Sequence, residues 1–182
     1  MTEKAFDAAG YIQINLKSGT IQNRMEKNMA LIPLELFKAI PASEDVRSMA
    51  WGWGKERGSV FKDTMDIAQI SMDVLSEHMQ GEIALIGAGS TEIDVYGDAF
   101  MLQITGNTFM PDSFGFMLEG YVAGYISAVS SAHFDAVSKP DASNRLTIFL
   151  GNSEAVKKVK ELLQKKATIA DAVAQLHREV AK

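Results

Sequence analysis

The chain has 182 residues, a length at which one hydrophobic core forms readily, and it is 47% hydrophobic and 23% charged, as ordinary globular domains are. It has no cysteine, which excludes disulfides, thiolate nucleophiles, iron–sulfur clusters and cysteine-ligated zinc. Its net charge of -5 repels nucleic-acid phosphates and no basic stripe offsets that charge, so we expect no nucleic-acid binding.

The chain begins with the pattern of a small β unit. Residues 11–16 largely alternate apolar and polar side chains, which is the period of a half-buried strand. Ser18 and Gly19 then offer a turn, and residues 21–32 can return as one or two short strands.

Helical patterns follow. Pro33 suits the first position of a short helix, and Ser43 is a suitable N-cap for a second helix that runs to about Asp63. From Asp66 to about Leu85 the apolar residues recur mostly at three- and four-residue spacing, which predicts a third helix.

The middle of the chain predicts a hairpin and a buried helix. Residues 91–96 alternate cleanly, residues 100–104 are apolar enough to pair with them, and the Gly-Asp step between them suits a turn. Asp112 or Ser113 can then cap a helix that runs to about Ser131.

The last third predicts strands at 136–138 and 146–150, and closing helices capped by Ser153 that reach His177 or beyond. No repeat or linker interrupts this order. We therefore predict one α+β domain over 1–182, in which helices cover a single antiparallel sheet.

Two glycine-rich segments invite a nucleotide-binding interpretation. Residues 84–90 look like the opening of a dinucleotide-binding turn, but a helix pattern precedes Gly87 and a strand follows, so we expect a helix-ending turn. Residues 52–58 lack the Gly-Lys-Ser/Thr ending of a phosphate loop, so we expect close helix packing. Alternatively, their glycines open space beside Trp51 and Trp53 for a flat or chain-like ligand whose polar end meets Lys55 or Arg57.

The helix at 114–131 carries a stripe of small residues among large apolar ones. The stripe lets another backbone approach closely, which predicts packing within the domain or, alternatively, a twofold dimer contact. The ten methionines of the chain are either core filler or the lining of a pliable cavity.

No reactive constellation is visible. The three histidines are far apart in the sequence, so we expect no metal site. No serine lies in the Gly-x-Ser-x-Gly motif of a catalytic nucleophile, so we expect no catalytic site. No apolar run could span a bilayer and no secretory signal opens the chain, so we expect a cytoplasmic protein without an integral membrane segment.

The order of these motifs resembles the 4-vinyl reductase domain family. It consists of Gly54-Lys-Glu-Arg-Gly58 in a helix, a helix ending in Gly87-Ala-Gly89, a hairpin, and Glu119-Gly120 with a glycine four residues later before a final hairpin. The match covers about residues 30–150. It implies a fold similar to small subunits of the TRAPP vesicle-tethering complex, an α+β domain that often dimerises and can enclose an acyl chain or other hydrocarbon.

Many family members carry a glutamate and cysteines around the final hairpin. Residues 138–144 of this chain offer no cysteine, so we expect neither a family-type metal or redox cofactor nor reductase activity.

The sequence therefore predicts a homodimeric, non-catalytic binding or sensing module for a small hydrophobic molecule: an acyl chain, a hydrocarbon or a tetrapyrrole-like ring. Two alternatives stay open, namely a protein-assembly subunit that uses the same apolar surfaces and an enzyme related to tetrapyrrole vinyl reductases. The predicted ligand-binding residues are Trp53, Arg57, Phe61, Met101, Tyr121 and Tyr125.

Overall fold

The structure is a computed structural model of the chain. It describes residues 12–15, 20–23, 34–65, 70–96, 99–105, 111–141, 145–165 and 167–180. The predicted turn at Ser18 and Gly19, the second part of the predicted return at 24–32, and the Gly-Asp step of the central hairpin lie outside these residues.

The described elements, in chain order, are β1 (Ile12–Asn15), β2 (Thr20–Asn23), a 3-10 helix (Leu34–Ala39), α1 (Glu44–Thr64), α2 (Met72–Leu85), β3 (Ser90–Tyr96), β4 (Ala99–Thr105), α3 (Asp112–Ser130), β5 (Asp135–Pro140), β6 (Leu146–Gly151), α4 (Ser153–Gln164) and α5 (Ile169–Val180). The predicted α+β class is confirmed. The short helix after Pro33 is a 3-10 helix.

Four strands form one sheet in the order β3-β4-β6-β5, and all of its neighbours are antiparallel. Tyr96 pairs with Ala99, so a two-residue connection joins β3 to β4, as the sequence predicts. The strands β1 and β2 pair with each other in a separate two-stranded sheet, so the prediction of a single sheet is wrong.

The two faces of the four-stranded sheet are covered by different helices. On one face α3 packs across β5 and β6, α2 packs on β3, and α1 packs against α3. On the other face α4 packs on β5 and β6, and α5 packs on β6. Side chains alternate along a strand, so Leu102 and Ile104 of β4 enter the core under α3 while Met101 enters the core under α4 and α5.

The helices α1 and α3 run parallel and nearly touch through their backbones. A methyl group added at Gly54 would lie 2.0 Å from the carbonyl oxygen of Tyr121, and one added at Gly124 would lie 2.0 Å from the carbonyl oxygen of Trp51. A methyl group added at Gly120 would lie equally close to the carbonyl oxygen of Arg47, and one added at Gly58 would lie 2.4 Å from that of Tyr125. The predicted close packing of the glycine-rich helix is therefore confirmed, and the small-residue stripe of α3 faces α1 of the same chain.

Two helices begin directly after a serine whose side chain caps them. The side chain of Ser43 accepts a hydrogen bond from the backbone N–H of Val46, which confirms the predicted N-cap of α1. In the same way Ser71 caps α2, which begins at Met72 rather than at Asp66.

Two predicted caps are wrong. Pro111 precedes α3 without a side-chain cap, and Ser113 inside the first turn donates its hydroxyl to the carbonyl oxygen of Phe37. Asn152 rather than Ser153 caps α4, because its extended backbone lets Oδ1 accept from the N–H of Ala155 at 2.9 Å. Capping requires the residue just outside the helix, and each prediction was one or two residues too late.

The glycine turn after α2 ends a helix, as the sequence predicts. Gly87 has φ of 78°, its N–H donates to the carbonyl oxygen of Ala84, and the N–H of Ala88 donates to that of Ile83. This pattern is the Schellman motif, in which a left-handed residue terminates the helix. The chain then enters β3, so the segment lacks the helix that a dinucleotide-binding turn requires. Among the described residues, no helix is both long and apolar enough to cross a membrane.

Candidate functional site

Five of the six predicted ligand-binding residues come together on the facing sides of α1 and α3. Trp53, Arg57 and Phe61 are spaced four residues apart on α1, and Tyr121 and Tyr125 are spaced four apart on α3, so each set forms a row along its helix. We call these five residues the aromatic cluster. The parallel crossing brings the two rows together.

Ring contacts connect the rows. The rings of Trp53 and Tyr121 are 4.5 Å apart, and those of Phe61 and Tyr125 are 5.9 Å apart. The ring of His78 on α2 lies 4.6 Å from that of Phe61, which adds a third helix to the cluster. Trp53 is only half-buried, whereas both tyrosines are buried, so the cluster extends from the surface into the core.

Met101 does not lie in this cluster, so the structure does not bring all six predicted residues together. Its side chain packs with Val137 and Phe149 under α4 and α5, on the opposite face of the sheet. The sequence shows that β4 is apolar on both sides, but it does not show which side of the strand faces which helix.

A buried polar group lies inside the aromatic cluster. The Nη2 atom of Arg57 donates to both carboxylate oxygens of Glu82, at 2.6 and 2.8 Å, and the Tyr121 hydroxyl donates to one of those oxygens at 2.9 Å. The side chains of Arg57 and Glu82 are 3% and 5% exposed. We call these three residues the polar triad.

Sequence reasoning missed Glu82, although a signal for it exists. On α2 the buried residues Leu75, Met79 and Ile83 mark the inner face, and Glu82 lies seven residues after Leu75 and three after Met79. A lone carboxylate at such a position must find a buried partner. Its candidates are cations on other elements, and Arg57 on α1 is the one that the fold brings to it.

The environment holds two groups of the site in their neutral forms. Burial, reinforced by the nearby Glu82 carboxylate, raises the pKa of the Tyr121 hydroxyl well above its ordinary value, so the phenol stays a hydrogen-bond donor. Burial also lowers the pKa of His78 despite the opposing effect of Glu82. A neutral imidazole next to Phe61 adds no charge to the surroundings of the triad.

The other predicted cation, Lys55, lies away from the cluster. Its ammonium group is 5.2 Å from the ring centre of Trp51, beside an open depression of about 550 Å³ that His133 also lines. Trp51 and Trp53 thus face different sides of α1. Among the described residues, no group of three or more His, Asp and Glu side chains is arranged to hold a metal ion.

A second buried carboxylate ties the layers together. Glu119 on α3 accepts hydrogen bonds from the backbone N–H and the hydroxyl of Ser138 on β5, both at 2.7 Å. Its other oxygen lies 3.7 Å from Nε of Arg47 on α1. Burial raises the pKa of Glu119, while Ser138 and Arg47 oppose that rise. These contacts join three elements and leave the carboxylate enclosed, which is a structural arrangement.

Comparison with known families finds no match, and none of the curated proteins matches the chain. Some solved structures, in contrast, are similar to the chain. The phenol-responsive sensory domain of the transcription activator PoxR, with phenol, is 16% identical over 80% of this chain and 90% of that chain, with a TM-score of 0.55. What the two share is the fold. A vinyl-4-reductase family protein from Methanocaldococcus jannaschii is 13% identical over 67% of this chain and 82% of that chain, with a TM-score of 0.43.

Proposed function

We propose that this chain is a non-catalytic module that binds and senses a small hydrophobic molecule at the aromatic cluster. The observation that carries the proposal is the polar triad of Arg57, Glu82 and Tyr121, enclosed by aromatic rings. Apolar walls with a few fixed polar groups are the usual lining of a small-molecule site.

Packing alone does not require the triad. A buried ion pair is seldom more stabilising than apolar residues of the same volume, because both charges lose their hydration. The helices α1, α2 and α3 could meet through leucine and phenylalanine instead. A guanidinium, a carboxylate and a phenol at this point offer donors and acceptors that orient a ligand's polar end.

The half-buried indole of Trp53 supplies an approach. Its ring contacts that of buried Tyr121, so a ligand that displaces or stacks on the indole reaches the triad through aromatic surface. Burial of apolar ligand surface contributes about 25 cal/mol per Å², which supplies the affinity for an acyl chain, a hydrocarbon or a tetrapyrrole-like ring, while the triad orients a polar end where the ligand has one.

The comparison with PoxR supports a sensing role. That protein is a phenol-responsive sensory domain whose structure contains phenol, and it shares this fold. We also infer a distant relation to the 4-vinyl reductase domain family. Its support is that the glycines carrying the resemblance, Gly54 and Gly58 on α1 and Gly120 and Gly124 on α3, meet at one helix crossing.

Mass spectrometry of the purified protein, native and then after organic extraction, tests the proposal first. We expect a stoichiometric small apolar molecule. The emptied protein is then titrated with phenol and with dodecanoate while tryptophan fluorescence is followed, and we expect a saturable change from one of them. An empty protein that shows no saturable change with either probe refutes the proposal.

A matched pair of variants locates the site. Trp53→Phe removes the indole that contacts Tyr121, whereas Trp51→Phe removes an indole on the other side of α1. We expect the ligand-dependent change to disappear in the first variant and to persist in the second. The reverse result places the ligand away from the aromatic cluster.

Several sequence predictions stay predictions: one domain over 1–182, a homodimer and a cytoplasmic location. A purified protein that is a dimer without a bound small molecule would favour the protein-assembly alternative. Turnover of a vinyl-bearing pigment would favour the reductase alternative.

A further inference from the structure

The strand β3 forms one edge of the described sheet. It pairs with β4 on one side and with no other described strand. Tyr96 and Ala99 close a two-residue hairpin, so the residues that exchange hydrogen bonds with β4 are alternate ones counted back from Tyr96. The backbone N–H and C=O groups of Thr91, Ile93 and Val95 therefore point away from β4, and within the described part of the chain nothing pairs with them.

An open groove runs beside this edge. It has a volume of about 650 Å³ and lies between α2, which contributes Glu77, Gln80 and Ala84, and the start of β3, which contributes Ser90 and Thr91. Thr91 as a whole residue is 5% exposed, and its hydroxyl oxygen has no hydrogen-bond partner among the described residues. An edge strand beside a helix, with a groove between them, is the geometry in which an extended peptide adds to a sheet.

The two sides of β3 differ in chemistry. Ile93 and Val95 lie on the side of α2, and Val95 is 46% exposed. Glu92 and Asp94 lie on the other side and are exposed, because α4 and α5 cover β5 and β6 but not β3. An added strand would therefore meet apolar and acidic side chains in alternation.

This charge pattern selects the occupant. Antiparallel pairing of β3 with β3 of a second copy, centred on Ile93, would set Glu92 of one copy opposite Asp94 of the other, and like charges in that position are destabilising. Acidic residues on an edge strand oppose such self-association. A strand with lysine or arginine opposite Glu92 and Asp94 instead gains an opposite charge at both positions, and Glu77 adds a further acidic group at the groove.

We propose that the edge of β3 and the groove beside α2 bind an extended segment of another protein, in which apolar residues alternate with lysine or arginine. Backbone hydrogen bonds to Thr91, Ile93 and Val95 supply affinity, and the acidic and apolar sides of the strand supply specificity. This surface is separate from the aromatic cluster, so it does not depend on the small-molecule proposal.

Amide hydrogen exchange with a synthetic peptide tests the proposal. The probe is a short peptide of alternating lysine and valine with blocked ends, and the control peptide has the same composition with its lysines grouped at one end. At about 100 times the Kd of the alternating peptide, mass action should slow exchange at Thr91, Ile93 and Val95 by about 100-fold. Exchange on α4 should not change.

Variants separate specific pairing from general attraction. Val95→Pro removes one edge N–H and should weaken binding by about two- to tenfold, and Glu92→Lys/Asp94→Lys should weaken it by about tenfold. The matched control, Glu154→Lys/Glu161→Lys, changes charge equally on α4 and should leave the Kd within about twofold. Circular dichroism melting curves establish that each variant folds.

Three results would overturn the proposal. The first is unchanged exchange at the three edge amides with saturating peptide. The second is equally tight binding of the grouped-lysine peptide, which would indicate general charge attraction. The third is concentration-dependent protection of the β3 edge in the protein alone, which would make the edge a contact between copies.

Discussion

Substitution of Gly54 by alanine tests the helix crossing that holds the aromatic cluster. The added methyl would lie 2.0 Å from the carbonyl oxygen of Tyr121, roughly 1.4 Å closer than ordinary van der Waals contact. The atoms that the methyl group would meet belong to the backbone of α3, so α1 and α3 must separate. A gap of about 1 Å already forfeits up to half of the dispersion attraction across it, and overpacking of this kind typically costs about 1–3 kcal/mol.

Gly52 is the matched control on the same helix, because a methyl group there meets no atom within 4 Å. Each substitution gains about 1 kcal/mol of helix propensity, so the difference between the variants isolates the steric term. We expect Gly52→Ala to be slightly stabilising and Gly54→Ala to be less stable than Gly52→Ala by about 1–3 kcal/mol, toward the upper value. Urea unfolding followed by tryptophan fluorescence and circular dichroism measures both. Equal stability of the two variants would refute the crossing.

Three further predictions concern buried charge, pH and capping. Arg57→Met leaves the buried carboxylate of Glu82 without its counter-charge, so we expect the free energy of unfolding in urea to fall by about 3–5 kcal/mol. The double variant Arg57→Met/Glu82→Met should recover most of this loss, whereas additive losses from the two substitutions would contradict the ion pair. Burial raises the pKa of Glu119 above 4.5, so the folded state binds the carboxyl proton more tightly than the unfolded state does. The stability that this tighter proton binding contributes is lost as pH rises from about 4.5 through the folded-state pKa. Glu119→Gln cannot titrate, so its stability relative to the natural chain should improve over that interval, and a pH-independent difference would argue against the raised pKa. Asn152→Ala should cost about 1 kcal/mol and Ser153→Ala less than about 0.5 kcal/mol in thermal unfolding, whereas the opposite order would restore Ser153 as the cap.

Much of the local structure follows from the sequence because its causes are local. Alternation over residues 91–96 and 100–104 predicts β3 and β4, and the glycine at 87 predicts the end of α2. The errors at Ser113 and Ser153 are also local, since a serine one or two residues inside the helix has the right chemistry at the wrong backbone position.

The candidate site was predictable where helical spacing sufficed. Rows at 53, 57 and 61 and at 121 and 125 each follow from a period of 3.6 residues, and the small residues on both helices indicate that something packs closely there. Met101 is different, because a strand with apolar residues on both sides gives no sign of which core each side enters.

The sequence by itself determined the elements, their order, the α+β class and the rows of side chains on each helix, because hydrogen bonding and side-chain period act between neighbours in the chain. Only the tertiary structure decided that α1 and α3 cross in parallel through their glycines, that Glu82 meets Arg57 across 25 positions of sequence, and that Met101 lies on the far side of the sheet. Those facts depend on which faces pack together, and packing is a property of the whole core rather than of any segment within it.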